Sequence, residues 1–403
     1  MLDGLVQIGD GRGKTHDDLR AHAGDLVQTS RWDAVRPRFA TVYIENKCHL
    51  RCDHCYESAE SHPHDARMSL ADYDKLFDEL AALGVLYLSL TGGEIFLRGD
   101  VLDIAALGRK KRFAVRLFTS GTLINEERAD RIAQLKVSEV QVSLYSADPA
   151  VHDAFVGQPG AHAKTVRALR LLRERSVLTV LKTQALTINI DALETLAQLA
   201  ESVGADFRVD PLVHPRMNGD PHPLRYLVPP EVLQRKLLAE PHLFTAFHGR
   251  SAESMCGGDA LRTSESTLCA AARDVVSIAA DGGVLPCASF PIAGGNVKER
   301  SLVDIWRRSR LFHEVRATTF GDMSACQGCG VKASCDPCMA YALIENGDHR
   351  QCNASSLNLA TALRGLAQER VRKDARDMRG APLPIVGGTC AQRPAQRGCG
   401  CGG

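Results

Sequence analysis

The chain has 403 residues, 44% of them hydrophobic and 24% charged, which are ordinary values for a soluble globular protein of about two domains. Its formal net charge is +1, so the composition gives no support for nucleic acid or an anionic membrane as the main partner. The N-terminus lacks the pattern of a signal peptide, and no apolar stretch of about 18 residues is present to span a bilayer. These features predict a cytoplasmic protein.

Strand-like and helix-like segments alternate between residues 39 and 210. A strand at 40–45 leads into a cysteine-rich loop, and Ser69 is the expected N-cap of a helix that Gly84 ends. The predicted elements that follow are strands at 85–90, 113–119, 139–145, 177–184 and 206–210, and helices at 100–111, 125–136, 162–175 and 191–203. This alternation predicts an α/β fold with a parallel sheet covered by helices. Ligands of such folds bind at the C-terminal ends of the strands.

Fourteen cysteines in a protein of a reducing compartment indicate metal binding rather than disulfides. Cys48, Cys52 and Cys55 follow the first predicted strand with the spacing C-x-x-x-C-x-x-C. Each iron of a cubane iron–sulfur cluster needs a ligand, so three thiolates leave one iron open to another molecule. Two alternatives remain open for this loop. His49 or His54 can complete a zinc site, or the cysteines can be small buried hydrophobic residues.

The second predicted strand ends in Thr91-Gly92-Gly93-Glu94. Two glycines allow a ligand to approach the backbone closely, and the carboxylate can accept hydrogen bonds from an ammonium group. Together with the cysteine spacing, this motif resembles the radical S-adenosylmethionine (SAM) superfamily. The resemblance implies a partial (β/α)6 TIM-type barrel in which SAM chelates the open iron of a [4Fe–4S] cluster. One electron from that cluster would then release a 5′-deoxyadenosyl radical, with the three cysteines as its catalytic ligands.

The resemblance also implies a set of SAM contacts at the ends of the strands. Relatives usually carry asparagine at the position of Ser120 and an acidic residue at that of Tyr145, so the match is incomplete there. A stretch containing Asp148, His152 and Gly157 matches the family as well. The expected cofactor-binding residues are Tyr56, Gly92, Gly93, Glu94, Ser120, Ser143 and Lys182.

The C-terminal half carries a second cysteine pattern. Its cysteines, with Gly282 and the phrase GNV between them, resemble the SPASM domain, which binds auxiliary iron–sulfur clusters. One departure is that only two residues separate Cys335 from Cys338, where the domain usually has three. A pair of zinc ribbons is the alternative, because their C-x-x-C knuckles look alike.

The SPASM resemblance implies two auxiliary [4Fe–4S] clusters with separate ligand sets. The first set is Cys326, Cys329, Cys335 and Cys352, and the second is Cys269, Cys287 and Cys338. The fourth ligand of the second cluster is either Cys256 or a substrate at an open site, and the rival role of Cys256 is that of a hydrogen-atom donor to a substrate radical. Cys390, Cys399 and Cys401 lie in a Gly- and Pro-rich segment that is expected to be flexible. The expected division is a lead-in at 1–38, the barrel at 39–235, the SPASM domain at 236–365 and the tail at 366–403.

SPASM-containing radical SAM proteins mostly modify peptides and proteins. The resemblance therefore implies an oxidoreductase that removes hydrogen from a ribosomally made peptide and forms a thioether, C–C or ether cross-link. Sulfatase maturation is disfavoured, because those relatives place an aspartate after the cysteine at the Cys287 position, where this chain has Ala288. About 38 residues precede the barrel, so either a separate leader-peptide recognition protein or direct recognition of the substrate is expected. A flavodoxin- or ferredoxin-type protein is the expected electron donor.

Two other classes of function remain open. One is a radical SAM enzyme that acts on a small molecule, such as a porphyrin side chain, or on the precursor of a peptide-derived cofactor. The other is a non-catalytic zinc or iron–sulfur scaffold, which the near-neutral charge and the Gly-Gly-Glu motif disfavour.

Overall fold

The computed structural model describes residues 34–57, 67–244 and 263–380, with side chains described up to residue 369. The expected fourth ligand Cys256, the tail cysteines Cys390, Cys399 and Cys401, and nearly all of the 1–38 lead-in lie outside the described residues.

Six parallel strands form the centre of the molecule, and their order across the sheet follows their order in the chain. They are β1 (Phe39–Glu45), β2 (Tyr87–Gly92), β3 (Ala114–Thr119), β4 (Glu139–Ser143), β5 (Thr179–Gln184) and β6 (Asp206–Asp210). The predicted α/β fold with a parallel sheet is confirmed. Because parallel strands share one direction, all six C-terminal ends lie at the same edge.

Helices follow the strands and cover the sheet. In the first half of the chain they are α1 (Leu70–Leu83), α2 (Val101–Lys110), α3 (Glu126–Leu135), α4 (Pro149–Val156), α5 (Ala161–Glu174), α6 (Leu193–Ser202) and α7 (Pro230–Ala239). Those of the second half are α8 (Leu302–Arg308), α9 (Arg310–Ala317), α10 (Met339–Asn346) and α11 (Ala354–Gly380).

Helix α1 shows why the sequence reading worked. Ser69 accepts a hydrogen bond from the amide of Asp72, whose carboxylate accepts one in return from the amide of Ser69, which is a capping box. Gly84 ends the helix in the left-handed conformation, as expected. The apolar face points into the core, except that Leu70 is 39% exposed.

Helix α4 was not predicted, and the strand expected at 139–145 ends at Ser143. Asp148 caps α4 by accepting hydrogen bonds from the amides of Ala150 and Val151, and Pro149 occupies its first turn. The family-like stretch that ends at Gly157 is therefore mostly a short helix, which packs against α5.

The second half of the chain continues the sheet of the first half. Strand β7 (Val275–Ile278) pairs in parallel with β1, in the register Phe39 to Val275, and β8 (Val284–Leu285) pairs with β7 in antiparallel. Trp306 of α8 is buried and donates its ring N–H to the carbonyl of Val35, 3.1 Å away. The cysteines that flank this hairpin are thereby carried next to β1.

Helix α11 continues across the boundary that is expected at residue 366 between the SPASM domain and the tail. The helix passes through residue 366 without a break and ends at Gly380. It packs against α7, and Asn358 donates a hydrogen bond to the carbonyl of Val228, 2.9 Å away.

Candidate functional site

The cysteine loop after β1 rests on the end of helix α4. The amide of Arg51 donates to the carbonyl of Val156 at 2.9 Å, and the amide of Asp53 donates to that of Phe155 at 3.1 Å. Gly157 adopts a left-handed φ of 67°, and a Cβ there would lie 3.2 Å from the Cβ of Arg51. The stretch that resembles the family motif thus packs against the cysteine loop and supports it.

Asp53, between two cysteines of the motif, anchors the loop through a second set of contacts. Its carboxylate binds His222 at 2.8 Å and makes shorter contacts with Arg225 and the hydroxyl of Tyr226. Burial opposes the charge of Asp53, but hydrogen bonds from Tyr226 and His222 and the charge of Arg225 lower its pKa overall. Protein contacts therefore hold the loop at several points.

The loop brings the three predicted thiols together. Burial raises the pKa of Cys52, and the charges of Cys55 and Cys48 raise it further, so the three sulfurs lie within electrostatic range. Burial raises the pKa of Cys55 to about 12. Without a cation these thiols stay protonated, whereas bound iron ions stabilise the thiolates. The donor set therefore fits a [4Fe–4S] cluster that leaves one iron without a protein ligand.

The two histidines of the loop do not complete a zinc site. Nε2 of His49 lies 2.7 Å from the hydroxyl of Thr122. His54 packs against the rings of Tyr145 and Phe155, at centroid distances of 4.4 and 4.9 Å, and burial lowers its pKa to about 3. In the part of the chain that the structure describes, no three His, Cys, Asp or Glu side chains are gathered to hold a single metal ion.

Gly92 and Gly93 make room for the loop that leads to the cysteines. A Cβ on Gly92 would lie 2.1 Å from the carbonyl oxygen of Glu45, and one on Gly93 would lie 2.5 Å from that of Lys47. The amides of Gly93 and Glu94 donate to the same two carbonyls at 2.8 and 2.9 Å. The structure thus adds a structural reason for the two glycines, the close approach of the β1 loop, and their predicted contact with SAM stays a prediction.

The carboxylate of Glu94 is buried, with 1% exposure, and is surrounded by donors. Oε1 accepts from the amide of Phe96 at 3.1 Å and the hydroxyl of Thr119 at 2.7 Å. Oε2 accepts from the amide and the hydroxyl of Ser120 at 2.9 and 2.5 Å. The ends of β2 and β3 are thus joined through two of the predicted site residues, Glu94 and Ser120.

Ser143 and Lys182 are register partners at the ends of β4 and β5, so the fold places these predicted residues side by side. Tyr145 is the residue that sequence reasoning missed. Its hydroxyl hydrogen-bonds to the side chain of Ser143, and its raised pKa is due first to burial and then to the charge of Cys52. The signal was present in the sequence, because Tyr145 stands where relatives carry an acidic residue.

The cysteines of the second half form separate groups. Burial raises the pKa of Cys338, and the charges of Cys287 and Cys269 raise it further, so these three sulfurs lie together. Burial and then the charge of Cys329 raise the pKa of Cys352. Cys269, Cys287 and Cys338 thus lie near one another, and Cys352 lies near Cys329, while the assignment of each cysteine to a cluster stays a prediction.

Four side chains in mutual contact, Tyr43, Tyr56, His214 and Tyr341, link the first cysteine loop to the second half of the chain, and we call them the aromatic wall. The hydroxyl of Tyr43 lies 3.2 Å from that of Tyr56 and donates to the carbonyl of Ala288, 3.0 Å away. The ring of His214 lies 5.3 Å from that of Tyr56 and 4.2 Å from that of Tyr341. Tyr56, expected to contact SAM, therefore belongs to this wall, which runs from the residue after Cys55 to the residue after Cys287.

Family comparison agrees with this arrangement. A model described as the radical SAM superfamily matches residues 42–202, and a second, for SPASM, an iron–sulfur cluster-binding domain, matches residues 269–330. The chain belongs to the radical SAM superfamily. It is an enzyme of this class, its radical SAM domain binds a [4Fe–4S] cluster and SAM, and its SPASM domain binds iron–sulfur. The predicted family, fold, enzyme class and cofactor types are confirmed.

Similar proteins differ in what they act on. The chain is 26% identical over 338 residues to the AdoMet-dependent heme synthase of Methanosarcina barkeri, covering 78% of this chain and 94% of that one. It is 28% identical over 350 residues to the subtilosin biosynthesis protein AlbA of Bacillus subtilis, covering 82% of this chain and 74% of that one.

A solved structure supports the same fold. Streptococcus suis SuiB bound to its precursor peptide SuiA superposes with a TM-score of 0.64 at 17% identity, covering 87% of this chain and 82% of that chain.

Across the described ranges of this chain, no helix has both the length and the apolar character needed to cross a bilayer.

Proposed function

We propose that this radical SAM enzyme forms a cross-link in a ribosomally made peptide. When SAM and the first cluster are bound, reductive cleavage supplies a 5′-deoxyadenosyl radical that takes one hydrogen atom from the substrate. Closing a thioether, C–C or ether bond removes a second hydrogen, as a proton and an electron. The electron needs an acceptor close to the substrate, and an auxiliary iron–sulfur cluster is an acceptor of the required class.

The observation that supports this proposal is the position of the second group of cysteines. Cys269, Cys287 and Cys338 lie across the aromatic wall from the first cysteine loop, because β7 pairs directly with β1. Tyr43 reaches both sides, through Tyr56 and through the backbone of Ala288. A substrate held against this wall would meet both centres without moving.

The first auxiliary set remains as the resemblance implies, with Cys326, Cys329, Cys335 and Cys352 holding a separate cluster. The residues of the barrel have other tasks in this proposal. Glu94, Ser120, Ser143 and Lys182 would bind and orient SAM at the strand ends, where the buried setting excludes water. A leader-peptide recognition protein and a flavodoxin- or ferredoxin-type donor would be the partners.

A peptide substrate is supported by the match to AlbA and by the shared fold with SuiB, which was crystallised with a precursor peptide. A small-molecule reaction on a porphyrin side chain is the second candidate, because the heme synthase match covers nearly all of that relative. The two candidates require the same radical-forming site and differ in the substrate and in the bond that changes.

The test uses anaerobically reconstituted full-length protein with SAM, dithionite and peptides encoded near its gene. We expect a peptide product that is lighter by two hydrogens and gives no fragment ions between the linked residues in mass spectrometry. One 5′-deoxyadenosine should be formed per cross-link. A variant in which Cys48, Cys52 and Cys55 are alanine is the matched control and should form neither product. Release of carbon dioxide from a porphyrin, with no change in any peptide, would contradict the peptide assignment.

A further inference from the structure

A chain of hydrogen bonds runs from Glu94 to the cysteine loop. The hydroxyl of Ser120 contacts Oε2 of Glu94 at 2.5 Å and the hydroxyl of Thr122 at 2.9 Å. The same hydroxyl of Thr122 lies 2.7 Å from Nε2 of His49, the residue after Cys48. We name the three residues Ser120, Thr122 and His49 the relay.

The direction of each hydrogen bond in the relay follows from the single proton on each hydroxyl. A carboxylate only accepts, so Ser120 donates its hydroxyl proton to Glu94. Thr122 must then donate to the oxygen of Ser120, and it has no proton left for His49. His49 therefore donates from Nε2, and Nδ1 of the neutral ring carries a lone pair.

Nδ1 of His49 is buried, and no donor among the described residues reaches it. A buried acceptor without a partner costs free energy, so a donor from outside the described protein atoms is expected there. The charge of Glu94 acts on both Cys48 and His49, which places the carboxylate, the thiol and this ring in one neighbourhood.

The four acceptor positions of Glu94 are already filled. Phe96 and Thr119 donate to Oε1, and Ser120 donates twice to Oε2, which matches the capacity of one carboxylate. An amino group that arrives beside Glu94 therefore has to share or displace a protein donor. The lone pair on His49 offers it an acceptor at no such cost.

We propose that Nδ1 of His49 accepts a hydrogen bond from the amino group of bound SAM and that Thr122 positions the ring for this contact. This inference rests on the proposed function, because it assumes that SAM binds at the Glu94 end of the barrel. His49 is a binding residue in this account, and Thr122 is a positioning residue that acts through it.

The test measures ligand binding rather than turnover. The probe is S-adenosylhomocysteine, which keeps the amino group and lacks the cleavable sulfonium, and the comparison ligand is its deaminated analogue. Equilibrium dialysis on the anaerobically reconstituted full chain gives both dissociation constants, and iron content shows whether the first cluster is intact. The variants are His49→Ala, Thr122→Val and Thr122→Ser. His242→Ala, an exposed position paired with Glu194, is the control.

We expect His49→Ala and Thr122→Val to weaken binding of S-adenosylhomocysteine by about tenfold, the effect of one hydrogen bond. Thr122→Ser keeps the hydroxyl and should stay within about twofold of the wild-type value. Binding of the deaminated analogue should be the same in all variants, because the contact is absent from that ligand. If His49→Ala loses iron, the Thr122 pair decides, since Thr122 lies outside the cysteine loop.

Two results would overturn the inference. One is an equal loss of affinity for both ligands, which would mean that the relay only shapes the loop. The other is unchanged binding of S-adenosylhomocysteine to Thr122→Val. Failure of the proposed function has a different signature, because the wild-type protein itself would then bind neither SAM nor S-adenosylhomocysteine.

Discussion

Gly93 should be indispensable because the cysteine loop packs directly against it. In Gly93→Ala the new Cβ would lie 2.5 Å from the carbonyl oxygen of Lys47 and 2.8 Å from that of Asn46. Both contacts are backbone, so no side chain can rotate away. The loop must withdraw by about 1 Å to restore ordinary contact distances.

The magnitude follows from what that withdrawal breaks. Overpacking against rigid backbone costs about 1–3 kcal/mol. The hydrogen bonds from the amides of Gly93 and Glu94 to the β1 loop contribute about 1 kcal/mol each. The loop that carries Cys48 should therefore lose about 3–5 kcal/mol of local stability. The first cluster should assemble poorly, while the SPASM clusters remain.

The assay is iron content after anaerobic reconstitution, together with the free energy of unfolding in denaturant. Gly93→Ala should lose about four irons, one cubane. Gly99→Ala is the matched control, because a Cβ there meets no atom within 4 Å, and it should keep the wild-type content. Equal iron content in the two variants would refute the reasoning, because the close approach at Gly93 would then have no effect on assembly of the first cluster.

Three further changes test other contacts. Gly157→Ala and Gly160→Ala both force alanine into a left-handed conformation, but only Gly157 faces Arg51. The free energy of unfolding in denaturant should therefore fall by a further ~1 kcal/mol in Gly157→Ala. Equal stabilities of the two variants would contradict the role of Gly157 in supporting the cysteine loop. Tyr145→Phe removes the hydroxyl that bonds to Ser143 and should weaken SAM binding by about threefold to tenfold in dialysis, whereas unchanged affinity would restrict Tyr145 to packing. Cys338→Ala and Cys352→Ala should each lower the iron content in metal analysis by about four atoms, and the double variant should lower it by about eight. An iron content of the double variant equal to that of either single variant would mean that both residues bind one cluster.

The sequence was sufficient for the parts of the fold whose cause is local. The capping box at Ser69, the left-handed end at Gly84 and the period of the α1 face are contained within a few consecutive residues. The cysteine spacing and the Gly-Gly-Glu turn were likewise readable, because each motif is continuous in the chain.

The rest depends on contacts between distant residues. No local signal in 275–278 indicates parallel pairing with β1, since the partner register, Phe39 to Val275, spans most of the chain. The approach of the cysteine loop to the two glycines was not foreseen for the same reason, because the nearby atoms belong to Glu45 at the end of β1 and to Lys47 in the loop after it. The relay joins residues from two separate loops, so only the structure reveals the buried lone pair on His49.

The central claim is that Cys48, Cys52 and Cys55 hold the cluster that cleaves SAM. The most direct measurement is iron, sulfide and 5′-deoxyadenosine formation under dithionite, for the anaerobically reconstituted protein and for the variant with these three cysteines changed to alanine. We predict about twelve irons in the wild type, a loss of about four in the variant, and no 5′-deoxyadenosine from the variant. Zinc in place of iron, or SAM cleavage that survives the substitution, would contradict the account.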